Sequence, residues 1–207
     1  MPEAGRSLAF LNNAFRENAV EKRYWAIAEL PKSDSEFAKL FNLGNNICYI
    51  NGSNNENDID TITGGNGEMV ELTHWLAFDP KMNKSRAYDE RAGNRKKAVL
   101  RCRVAGCGSS YLFLEIALVT GRHHQIRAQL ARLGVAIKGD LKYGARRSEK
   151  LGGIRLHARS LRFPNPEHAG AKINVLAEVP RKDNLWDAYC RYLPDRPDDL
   201  PAISMVP

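Results

Sequence analysis

Ser110 to Leu133 constrains the fold more than any other part of the chain. The run Ser110-Tyr111-Leu112-Phe113-Leu114-Glu115-Ile116-Ala117-Leu118 has the aromatic and β-branched content of a half-buried strand. From His123 to Leu133 the spacing changes to that of a helix, with Ile126, Leu130 and Leu133 on its apolar side and Gly134 at the C′ position that ends it. A strand must therefore turn directly into an amphipathic helix. The turn carries Arg122, His123 and His124, and His123 and Arg127, four residues apart, share a helix face. Cations and imidazoles held between two apolar elements are placed to meet a charged substrate.

The rest of the chain supplies a sheet for that unit. Ser7 to Asn18 reads as a helix with Leu8, Leu11 and Phe15 on one stripe. Val20 to Leu30 reads as a strand, with Tyr24, Ala26 and Ala28 on one face and Trp25 and Ile27 on the other. Met69 to Phe78, Lys97 to Val104 and Ser110 to Val119 follow as strands, with Asp79 to Lys96 an exposed connection. Consecutive strands of this kind pair antiparallel. Ile154 to Phe163 and Lys172 to Val179 are two more strands around the Pro164-Asn165-Pro166 turn, and Asp183 to Leu193 is a last helix. Gly44 to Gly67 is dense in Asn, Gly, Asp and Ser and reads as a loop; the tail from Pro194 reads as loosely ordered. The expected fold class is α+β, a mixed and largely antiparallel sheet with flanking helices in one domain over residues 1–207.

Composition sets limits on function. A chain of 207 residues with 43% apolar content can bury a core. It has no signal-peptide pattern and no apolar run of the roughly 20 residues that span a bilayer, so a cytoplasmic location is expected. Cys48, Cys102, Cys107 and Cys190 lack metal-site spacing and read as four reduced thiols. Between Arg122 and Arg162 stand eleven Lys or Arg against two acids, a segment charge of +9 in a chain whose net charge is +7, so the remainder is slightly acidic at −2. Such a segment suits a phosphate backbone. A solvated basic face is the alternative reading.

Three ordered motifs then carry a resemblance. Thr120-Gly121-Arg122-His123-His124-Gln125-Ile126-Arg127, Gly139-Asp140 with Tyr143-Gly144, and Leu156-His157-Ala158-Arg159-Ser160-Leu161-Arg162-Phe163 closely resemble the RluA-type RNA pseudouridine synthases. Ala14-Phe15-Arg16-Glu17-Asn18 and the following Lys22-Arg23-Tyr24 are similar to the same family, so the likeness runs from about Ser7 to Leu193. The resemblance implies isomerisation of uridine to pseudouridine within structured rRNA or tRNA, without cofactor or metal, by a protein expected to be monomeric. A base must leave its stack, be held by an aromatic ring, and have its flanking phosphates gripped. By resemblance, Tyr24 is the active-site tyrosine that stacks on the base, and Arg127 is the arginine that keeps a catalytic aspartate ionised. Arg122, His123, His124, Lys142 and Arg159 are the expected RNA contacts, and Asp140 is assigned to a turn, binding backbone N–H groups.

One departure matters. The family's catalytic aspartate lies in an R-L-D-x-x-T-S-G segment before the first helix, and these 207 residues contain no such segment. Asp60-Thr61-Ile62-Thr63-Gly64-Gly65 mimics part of it, but follows Tyr24 and has Asp58 where the arginine belongs. The expectation is a truncated or inactive synthase that lacks the attacking carboxylate. A non-catalytic RNA-binding module is the alternative, and a basic globular protein without RNA function the third.

Overall fold

A computed structural model describes residues 3–43, 69–168, 170–180 and 183–191. Helix α1 (Glu3–Arg16) leads into strand β1 (Glu21–Glu29) and the short helix α2 (Glu36–Leu40). Strands β2 (Val70–Asp79), β3 (Lys84–Tyr88), β4 (Lys96–Cys107) and β5 (Tyr111–Leu118) precede helix α3 (Gln125–Arg132). Strands β6 (Leu156–Pro164) and β7 (Lys172–Leu176) precede helix α4 (Asn184–Cys190). The seven strands form one antiparallel sheet in the order β3-β2-β4-β5-β1-β6-β7. The expected α+β class and antiparallel pairing hold.

Strand alternation divides the core into two layers. On the front face, Ala26 and Ala28 of β1 pack with Leu112, Leu114 and Ile116 of β5 under Phe37 of α2 and Ile126 and Leu130 of α3, with Tyr24 at the margin. On the back face, Trp25, Ile27 and Phe113 meet Trp186 and Tyr189 of α4. This is the two-faced reading of β1. Asp183 caps α4 by accepting from the Trp186 N–H at 3.1 Å. The buried Tyr189 hydroxyl donates to the Leu114 carbonyl at 2.6 Å, which satisfies it inside an apolar layer. Burying each of these large rings contributes roughly 1.5–3 kcal/mol relative to leaving it exposed.

Three expectations change. The Asp79 to Lys96 connection contains β3, an edge strand paired with β2 from Trp75↔Tyr88 to Asp79↔Lys84. The stripe on α1 does not pack among the described residues: Leu8 and Phe15 are exposed, and the helix docks through Ala14. Cys107, at the end of β4, is disulfide-bonded, whereas Cys102 and Cys190 carry thiols, so the reading of four reduced cysteines fails at Cys107. The Gly44 to Gly67 loop, with Asp58 and Asp60, and the tail from Pro194 lie outside the described residues. Among those described, no helix is long and apolar enough to cross a membrane.

Candidate functional site

The turn between β5 and α3 is built by one buried side chain. Gln125 accepts from the Thr120 hydroxyl at 2.8 Å and from the Arg122 N–H at 2.9 Å, and donates through Nε2 to the Val99 carbonyl at 3.0 Å. The Thr120 oxygen in turn accepts from the Val99 N–H. The amide thus ties the turn to β4, and the buried Gln125 finds its partners in the half-buried Thr120 and the backbone. The strand-to-helix transition is fixed before any ligand arrives.

Inside that turn, His124 sits in the left-handed region at φ 51°. A residue with a Cβ adopts this conformation at a cost, of order 1–2 kcal/mol. The strained backbone puts the imidazole between two partners: Nε2 lies 2.8 Å from Arg127 Nη1, and Nδ1 3.2 Å from the Tyr143 hydroxyl. Arg127 can only donate, so Nε2 accepts and Nδ1 carries the hydrogen of a neutral ring. Burial first, then the positive charges of Arg127, His123 and Lys142, bring the His124 pKa down to about 4.

Arg127 has a further and closer partner. Its Nε and Nη2 donate to Asp140 Oδ2 and Oδ1 at 2.7 and 2.6 Å, a bidentate pair in which Asp140 is 1% exposed. The guanidinium also lies 4.7 Å from the Tyr143 ring centroid. Asp140 is a turn residue, as expected, since its carbonyl accepts from the Tyr143 and Ala145 N–H groups. Its carboxylate, however, binds Arg127 rather than backbone N–H groups. Gly139 makes this turn possible. At φ +88°, it leaves a space in which a Cβ would come 2.9 Å from the Gly153 carbonyl oxygen.

His123 points elsewhere. The helix begins at Gln125, two residues later than its apolar periodicity suggested, so the imidazole beside Arg127 is His124 and not His123. His123 stacks on His124 with ring centroids 3.8 Å apart and meets Phe78 edge-on at 4.4 Å. Its Nδ1 is 3.2 Å from the hydroxyl of the buried Ser85, which donates to its carbonyl at 2.7 Å. Ser85 also brackets the Tyr143 hydroxyl, which accepts from its N–H and donates to its carbonyl. Sequence reasoning missed Ser85 and quoted Gln125 and Tyr143 within motifs without giving them a role, because the bonds to Val99 and between Tyr143 and Ser85 join distant parts of the chain.

Two remaining expected contacts are at hand. Lys142 Nζ rests on the Asn83 carbonyl at 3.2 Å, and Arg122 Nε on that of Lys97 at 3.2 Å. Neither has a carboxylate within ion-pair distance among the described residues. Much of the other charge between residues 122 and 162 is internally compensated. Arg132 pairs with Glu36 and Asp89, Arg146 with Glu29, and Arg155 with Glu149 and Asp183. Hydrogen bonds from Arg155 and then Lys138 hold Glu149 at about 2, against the upward push of burial. The uniform basic face suggested by composition is therefore a smaller patch.

Arg159 must be corrected. It is 5% exposed, lies on the back face over Trp25 at 4.2 Å, and donates to the Ala177 carbonyl at 2.6 Å. A guanidinium held this way is core and does not present its charge to RNA. His157 shares that carbonyl at 3.1 Å. Tyr24 is half-buried at the front-face margin of β1, where burial raises its pKa. Lys22, also partly buried, has its pKa lowered by the same cause. Strands β5 and β4 stand between β1 and β2, and α3 lies over β2 and β3. His124 and Arg127 thus meet at Tyr143, with His123 stacked on His124 and Arg122 and Lys142 on the Lys97 and Asn83 carbonyls, and neither Tyr24 nor Arg159 shares these contacts.

Comparison with known proteins agrees with this architecture. The human RNA pseudouridylate synthase domain containing 1 superposes with a TM-score of 0.56 at 20% identity, covering 87% of this chain and 62% of that one, which supports the fold. Domain containing 4 gives 0.55 at 18% identity, covering 90% and 67%. In sequence, the uncharacterized RNA pseudouridine synthase YlyB of Bacillus subtilis is 35% identical over 85 residues, 41% of this chain and 28% of the relative. An uncharacterized RNA pseudouridine synthase of Chloroflexus aurantiacus is 49% identical over 57 residues, 27% of this chain and 18% of the relative. The matches thus span less than a third of these curated relatives. The family profile described as RNA pseudouridylate synthase matches residues 4–132, well over half of the chain, from α1 through β1 and the β5 turn to α3. With its antiparallel sheet and its Thr120 to Arg127 turn, the chain belongs to the RNA pseudouridylate synthase family.

Proposed function

We propose that this chain holds RNA at the N-terminus of α3 and serves the isomerisation of uridine to pseudouridine in structured rRNA or tRNA. The observation that carries the reading is the grouping at the start of α3 in a chain of this family: His124 bonds Tyr143, His123 stacks on His124, and Arg122 and Lys142 rest on the Lys97 and Asn83 carbonyls with no carboxylate partner among the described residues. The cations engage phosphate, and the neutral His124 imidazole and the exposed rings engage bases. Tyr24 is proposed to stack on the turned-out base.

Arg127 takes a positioning role in this proposal. Its Nε and Nη2 are committed to Asp140 and its Nη1 to His124. Asp140 is too deeply buried to attack a ribose. The bidentate commitment of Arg127 to Asp140 favours the second reading, an RNA-binding module in which these residues do not themselves catalyse.

The test pairs filter binding of transfer and ribosomal RNA across a salt series with an assay for pseudouridine in the same RNAs. Salt-dependent binding without turnover supports a holding role for these residues. Turnover by the polypeptide as given means that a carboxylate present in it attacks, which overturns the non-catalytic reading. Absence of salt-dependent binding overturns both.

A further inference from the structure

The front face of β2 points its even-numbered residues toward α3: Leu72, His74 and Leu76 are all buried. Phe78 continues that series beyond the start of α3 and is 50% exposed. Its ring is not loose. It meets His123 edge-on at 4.4 Å, and His123 is fixed by Ser85, which pairs with Phe78 across the β2–β3 ladder. The turn that follows is held by the Asp79 carboxylate, which accepts from the Lys81 and Met82 N–H groups at 3.0 and 3.2 Å. Met82 and Leu141 extend the apolar surface, 53% and 58% exposed.

Cations border this strip. Lys142 Nζ lies against the Met82 and Asn83 carbonyls at 3.4 and 3.2 Å, and Lys84 Nζ is 4.9 Å from the Tyr143 ring. An aromatic face flanked by ammonium groups complements a nucleotide, whose base is flat and apolar on its faces and whose phosphates are anionic. A purely apolar partner would leave those charges without a counterpart.

We propose that Phe78, braced by His123, is a stacking platform for an unpaired base of bound RNA, with Lys84 and Lys142 engaging the adjoining phosphates. The site selects single-stranded or looped RNA over duplex, because bases inside a helix offer no free face. This rests on the RNA-binding reading above.

The test uses the full chain, a short oligouridylate carrying one fluorescent purine, and a duplex RNA of the same total charge. Wild-type protein is expected to prefer the single strand and to quench the purine on binding. Phe78→Ala weakens single-strand binding on the order of 5- to 100-fold and abolishes quenching, while duplex binding and the slope of affinity against salt stay unchanged. Phe78→Trp keeps the wild-type behaviour. Single-strand affinity unchanged in Phe78→Ala, or fully retained in Phe78→Leu, overturns the platform while leaving RNA binding in place. Wild-type protein that binds neither RNA overturns the RNA reading itself, so the two failures are distinguishable.

Discussion

The two faces of the sheet use the same side chains for opposite ends. On the back, Arg23 and Arg103 close on Glu115 at 3.0 and 2.6 Å, and Arg159 lies on Trp25 beneath α4. On the front, at the mouth of α3, Arg127 closes on Asp140 in the same way, but His123, stacked on the His124 that Arg127 holds, and Phe78 remain open to solvent. An arginine beside an aromatic ring is thus no mark of a binding site. What separates the faces is a cover: α4 seals one, and no described element seals the mouth of the other.

Charge removal is the largest expected effect, and it sharpens the contrast. Glu115 is fully buried, so Glu115→Ala takes away the carboxylate shared by two arginines and costs about 3–5 kcal/mol in urea unfolding. RNA affinity of the folded fraction stays the same. Arg127→Ala strands the buried Asp140 carboxylate and costs about 3–5 kcal/mol as well. Here RNA binding also falls, because the same guanidinium orients His124. Equal RNA losses in the two variants would erase the distinction between the faces.

The next test crosses a lysine with an arginine. Arg159→Ala is expected to lower stability by about 1–3 kcal/mol, through the lost hydrogen bond to Ala177 and the lost contact with Trp25, without changing RNA affinity. Lys142→Ala is expected to leave unfolding unchanged within about 0.5 kcal/mol and to reduce the salt slope of RNA binding by about one. The opposite outcome, with Arg159 setting the salt slope, would return it to the RNA surface.

Arg159 also shows where sequence reading stops. Its alternation with His157 on one strand face was legible, as were both faces of β1 and the α4 rings, because period-two and helical spacing are local properties. Whether that face is open or sealed depends on α4, which follows β6 by some twenty residues in the chain. Strand β3 was missed because Lys84-Ser85-Arg86-Ala87-Tyr88 has little apolar content and owes its form to pairing with β2. The bond between Arg127 and Asp140 joins residues thirteen positions apart across a glycine turn, and no periodicity encodes it. The start of α3 decided which histidine faces Arg127, and helix boundaries are set by hydrogen bonds such as those of Gln125 rather than by the apolar stripe.

The smallest expected effect concerns that histidine. His124 titrates at about 4 in the folded chain, below the ordinary value near 6.5, with burial the first cause and Arg127 the second. A lowered histidine pKa means that the unfolded chain takes up a proton first as pH falls. Stability is therefore unaffected by this group above the ordinary value and declines as pH drops from there toward 4. In NMR titration, the His124 ring should stay neutral through the mildly acidic range, hydrogen on Nδ1, and change with a midpoint near 4. Lys142→Ala, which removes a weaker and more distant charge, should raise that midpoint slightly, whereas a back-face change such as Arg159→Ala should not move it. A midpoint near the ordinary value in the wild-type chain would mean that His124 is solvated and not held by Arg127 and Tyr143, and the front-face mouth would then lack the ordered imidazole pair on which Phe78 leans.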